Sequence, residues 1–147
     1  MPVTPDHPKQ RLLFALEPGY PDTAVRAVKV LIDKLRASRE WVAAPPEFVN
    51  ESTEADPGDE PIHTLGAFLD LYVGHGEWAD KLPPEIDRAL FDEASALVQA
   101  FTELSRQFDV EVALELDDDQ IGWIEHGVPD RGVAEVFLGE WERSLKK

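Results

Sequence analysis

From Pro83-Pro84 onward, Ile86, Leu90, Ala94, Leu97, Phe101, Leu104 and Phe108 recur in steps of three and four, with Phe91 and Val98 widening the stripe. That spacing returns to one side of a 3.6-residue turn, so it predicts a single helix of about 25 residues, roughly 37 Å long. Such a rod must bury its stripe against a second layer. Glu85 and Asp87 fall in its first turn, where negative charge is favoured.

The other segments supply that layer. Arg11-Leu12-Leu13-Phe14-Ala15-Leu16 is a short apolar run stopped by Glu17-Pro18-Gly19, which suits a buried strand. Pro21-Asp22-Thr23 offers a helix cap, and Val25, Val28, Leu31, Ile32 and Leu35 continue at helical spacing through Ala37. The outer side of this helix carries Arg26, Lys29 and Arg36, with Asp33 between them, and is mostly cationic. Thr64 to Val73 fits either period, and the glycines at 66, 74 and 76 tilt it to a strand. Val112, Leu114 and Leu116 alternate with acids, Asp117-Asp118-Asp119-Gln120 is a turn, and Ile121 to His126 returns as the partner strand. After Gly127-Val128-Pro129, Ala134, Phe137, Leu138, Trp141 and Leu145 line a terminal helix that Asp130 can cap.

The order β-α-loop-β-α-β-β-α predicts an α+β, two-layer fold: a small mixed or antiparallel sheet of about four strands with three helices packed on one face. A chain of 147 residues fits one domain. Residues 1–10, with prolines at 2, 5 and 8, read as a flexible tail, and 11–147 as the single α+β domain. Within it, residues 45–61 hold four prolines, one glycine and six acids and read as an acidic loop.

Charge and missing chemistry narrow the function. With 14 basic and 30 acidic residues the formal charge is −16, which argues against a nucleic-acid backbone or an anionic membrane surface as partner. Residues 1–39 carry seven bases and four acids, net +3, so the rest of the chain carries net −19. Cysteine is absent, which removes thiolate chemistry and disulfides. No secretory leader or membrane-length apolar run is visible, so a cytoplasmic location is expected.

No catalytic, cofactor or metal motif stands out. Asp117-Asp118-Asp119 fails as a calcium loop, because Ile121 and Val128 occupy positions that need oxygen ligands. His-Glu-x-x-His, Gly-x-Ser-x-Gly and phosphate-loop patterns are missing, and Ser95 and Ser105 read as helix surface. His75, between two glycines, reads as exposed on a turn.

The surplus of carboxylates is the feature with a functional implication. The expected function is a non-enzymatic, acidic protein-binding domain of inhibitor or immunity type, masking a basic partner with the acidic hairpin and the 47–60 loop and without a cofactor. Its candidate binding residues are Glu111, Glu115, Asp117, Asp118 and Asp119 on one exposed edge, with Trp41 and Trp78 as aromatic contacts and His126 beside them. The alternative is a small-molecule protein or enzyme with a pocket between sheet and helices, using His126 and nearby acids. A homo-oligomer, with the cationic helix of one copy against the acidic region of another, is a third arrangement.

Overall fold

The computed structural model describes residues 3–53, 57–58 and 62–146. Its elements are β1 (Lys9–Leu16), α1 (Asp22–Ser38), β2 (Glu47–Thr53), β3 (Ile62–Tyr72), α2 (Pro84–Phe108), β4 (Val112–Leu116), β5 (Asp119–Glu125), β6 (Val128–Pro129) and α3 (Glu140–Leu145). A 3₁₀ segment, Gly76–Lys81, precedes α2, and a wide π-helical segment, Gly132–Gly139, runs into α3. The fold is α+β. Among the described residues the strands join one antiparallel sheet in the order β2-β3-β1-β4-β5-β6, six where about four were expected.

The two extra strands have different origins. β6 is a two-residue pairing that closes the turn after β5. β2 lies inside the segment expected to be an acidic loop. There Phe48, Asn50 and Ser52 alternate with Glu47, Val49 and Glu51, and the period of two outweighs the loop-like composition once β3 offers a ladder. An edge strand carrying glutamates also resists pairing with a foreign strand. The remainder of the expected loop, residues 54–56 and 59–61, lies outside the described residues.

The amino-terminal segment also departs from the expected tail. β1 starts at Lys9, two residues early, and Val73 donates its N–H to the Pro8 carbonyl at 3.0 Å. His7 is buried, donates to the Val73 carbonyl at 2.6 Å and packs on Tyr72 and Trp78. Prolines exclude a helix here but not an extended chain laid along the sheet.

Helix α2 is the expected 25 residues and buries Leu90, Ala94, Leu97, Val98, Phe101 and Leu104. It packs on Leu12, Phe14 and Leu16 of β1, on Leu65, Ala67, Leu69 and Leu71 of β3, and on Val112 and Leu114 of β4. Phe14 and Phe101 stack at 4.8 Å at the centre of that interface. Helix α1 adds Ala24, Val28 and Ile32 to the same core. It starts without a side-chain cap, Pro21 being the cap residue, and Asp22 contributes its charge to the first turn instead. Asp130 caps the terminal helical segment as expected, its carboxylate accepting the Val133 N–H at 3.1 Å and the Trp123 N–H at 3.0 Å. Among the described residues, no helix is long and apolar enough to cross a membrane.

Candidate protein-binding face

Because strand side chains alternate, the register that points Leu12, Phe14 and Leu16 at the helices points Arg11, Leu13 and Ala15 the other way. Directly opposite these on β3 are Asp70, Phe68 and Gly66, and on β4 Glu115 and Ala113 face Leu13 and Ala15. The row continues outward to Glu47, Val49 and Glu51 on β2, to Trp123 and Glu125 on β5, and to Val128 on β6. Leu13, Ala15, Val49, Phe68, Ala113 and Trp123 are all half-buried against one another and stand apart from the helix-side core. Val128, at 63% exposure, extends the row at the far edge. One side of the sheet is thus covered by helices, and the other presents an apolar strip.

The strip has an acidic border. Among the described residues, Glu47, Glu51, Asp70, Glu115 and Glu125 lie on this face against Lys9 and Arg11 as its strand-borne bases. Arg11 lies over the Phe68 ring at 3.7 Å and reaches Asp70 at 3.5 Å. Glu47, Glu51 and Glu115 make no ion pair among the described residues.

The carboxylates expected on one edge divide. Glu115, Asp117 and Asp118 line a shallow depression with Arg11 and Leu13, about 250 Å³ in volume. Glu111 precedes β4 at its opposite end, roughly 20 Å of extended chain away. Asp119 pairs with Leu116 and belongs to the helix side of the ladder. Asp117 also braces the fold from within, since its carboxylate accepts the Arg11 N–H at 2.8 Å and its own N–H goes to the Arg11 carbonyl at 2.9 Å. Asp117 and Asp118 form a two-residue hairpin turn with φ of 50° and 71°, the paired positive angles that match the twist of the flanking strands.

Both tryptophans singled out from the sequence are half-buried. Trp78 is half-buried against His7, with Lys81 4.6 Å above its ring. Trp41 packs on the core, with Arg39 5.4 Å from its ring and its indole N–H buried. The tryptophan on the open face is Trp123, whose alternation with Gly122 and Ile124 was a usable signal. His126 is exposed in the turn after β5, with φ of 50°. Its Nδ1 lies 2.5 Å from the Asp109 carboxylate, and that hydrogen bond raises its pKa above the ordinary histidine value. A pocket of about 170 Å³ does lie between sheet and helices, lined by His75, Asp87 and Trp141 among others, but His126 is not part of it.

Besides His7, two polar side chains are buried among the described residues. Ser105, expected on the helix surface, is completely buried; its hydroxyl donates to the Val110 carbonyl at 2.6 Å and accepts the Gly127 N–H at 3.0 Å. Glu93 is 2% exposed; one carboxylate oxygen accepts the Val42 N–H at 2.8 Å, and the other is buried with no hydrogen-bond partner among the described residues. Burial raises the Glu93 pKa, partly offset by the Val42 N–H and the Arg39 charge.

An acid whose folded-state pKa is raised holds its proton more tightly when folded. Its contribution therefore favours the fold below the ordinary glutamate value of 4.5 and is lost as pH rises through the raised value. Glu93→Gln should accordingly gain stability relative to the parent protein as pH climbs from 4 to 7, as read by urea denaturation of both at each pH. A difference between the two curves that is flat with pH would contradict the assignment.

Comparison with known protein families, with curated proteins and with solved structures finds no match.

Proposed function

We propose that this chain is a non-enzymatic protein-binding domain of inhibitor or immunity type, which masks a basic protein with the helix-free face of its sheet. The observation that carries this reading is the combination on one face of Leu13, Phe68 and Trp123 with the carboxylates of Glu47, Glu51 and Glu115, which make no ion pair among the described residues. Apolar centre and charged border is the arrangement of a specific interface, in which aromatic anchors supply affinity and rim charges set on-rate and sign of partner. An excess of acids over bases on this face selects a cationic surface. Glu111 and Asp119 fall outside it and add long-range field rather than contacts, whereas Asp117 and Asp118 border it beside Leu13 and Glu115.

The test is retention of a basic protein from a native extract at low ionic strength, run in parallel with two variants. Glu47→Lys with Glu115→Lys alters the face; Glu140→Lys, exposed on α3, is the control. The control should retain the same protein as the parent, and the face variant should lose it. With the captured protein purified, the face variant should slow association about tenfold or more and flatten its salt dependence, with the melting temperature nearly unchanged. Equal association by all three proteins would remove the face from consideration.

A further inference from the structure

The pocket of about 170 Å³ between sheet and helices has its own chemistry. Leu71 of β3 contributes a buried apolar surface, and Phe137 and Trp141 supply two rings whose centroids lie 5.7 Å apart at 57°. Phe91 meets the Trp141 indole edge-on at 5.4 Å, and the indole N–H donates to Asp87 Oδ1 at 2.8 Å, so both the ring and the carboxylate are held in place. Of the nine lining residues, Asp87 is the one acid, and none is a lysine or arginine. Asp87 is half-buried and makes no ion pair among the described residues, and its Oδ2 accepts no hydrogen bond there. Phe137 reaches the pocket from the π-helical segment, where the Glu140 N–H returns five residues to the Glu135 carbonyl. Wide turns of this kind are uncommon and recur at functional sites.

We infer that this pocket binds a small organic ammonium ion, a primary amine of about six non-hydrogen atoms. Its volume is that of about five or six water molecules, which sets the size. The Asp87 carboxylate sets the charge: an anion would meet it with no base in the lining to compensate, and a neutral molecule would leave Oδ2 without a counter-charge. A primary ammonium also brings protons for Oδ2, which a quaternary one lacks, and the aromatic rings accept a cation or its alkyl body. Leu71 faces the helices, whereas Phe68 and Asp70 face the open side of the sheet, so the pocket is separate from the protein-binding face.

The probes are isopentylamine, its neutral counterpart isopentyl alcohol, the anion isovalerate, and a Gly-Lys-Gly peptide that carries the same ammonium on a chain. Titrated into the full chain and followed by NMR, the amine should shift the Trp141 indole N–H and leave those of Trp41, Trp78 and Trp123 in place. Its dissociation constant should be on the order of 1 mM, within reach of a ligand this small. The alcohol and isovalerate should bind about tenfold more weakly or less. Asp87→Asn keeps an oxygen for the indole and removes the charge, and should weaken the amine by a similar factor. Ser144→Leu, at an exposed lining position, leaves the charge and fills the space, and should abolish binding. Equal binding of amine and alcohol, parental affinity in both variants, shifts at all four indoles alike, or tighter binding of the peptide than of the amine would each overturn the proposal, the last by making the occupant a partner's lysine.

Discussion

Gly66→Ala is expected to cost about 3 to 5 kcal/mol and to leave little folded protein at 37 °C. Gly66 sits on β3 opposite Ala15, at the middle of the sheet. A Cβ there would fall 1.7 Å from the Phe14 carbonyl oxygen and 2.8 Å from its carbon, closer than any non-bonded approach permits. The obstacle is backbone, so relief requires separating β1 from β3. That movement would unseat Phe14 from Phe101 and disturb the core as a whole. Gly19→Ala is the control: its φ of 102° disfavours a side chain, but nothing lies within 4 Å, so only about 1 kcal/mol should be lost. Urea denaturation of both variants checks the contrast, and near-parental stability of Gly66→Ala would show that the two strands are not held so close.

Ser105→Ala is expected to lower stability by about 2 to 4 kcal/mol, on the order of 10 °C in melting temperature. The hydroxyl serves two buried backbone groups, the Val110 carbonyl and the Gly127 N–H, and alanine leaves both without it. Those bonds tie the end of α2 to the turn after β5, where Arg106 also donates to the Gly127 carbonyl at 3.2 Å. The loss should therefore be concentrated there, as faster hydrogen exchange at Gly127. Ser95→Ala, half-buried on the same helix, should be neutral or slightly stabilising because alanine is the better helix former. Equal effects of the two serine substitutions would show that the buried hydroxyl is dispensable.

The long helix was legible because nine apolar residues repeat one angular period without interruption, and β4 because acids alternate with aliphatics. The strand β2 was not, since Pro45-Pro46 and a high acid content mask an alternation of only seven residues that acquires meaning when β3 lies beside it. The open face was hidden for a different reason. Leu12 to Leu16 is apolar at every position, and only register tells which members face the helices. Ser105 and Glu93 did leave a signal: Ser105 follows Phe101 by four positions, and Glu93 follows Leu90 by three and precedes Leu97 by four, so both lie on the stripe. A polar residue at a stripe position is a buried polar group in need of a partner, and the partners, Gly127 and Val42, come from distant chain that no local pattern reveals.

The place of β1 at the middle of the sheet has a consequence for synthesis. Arg11 meets Asp70 across 59 residues and Asp117 across 106, so β1 is flanked by strands that leave the ribosome much later. Leu12, Phe14 and Leu16 must wait, exposed, until most of the chain has emerged, and pairing across such separations is slow. Because β1 alone joins β2-β3 to β4-β5-β6, the two halves of the sheet can be united only once β4 has been made.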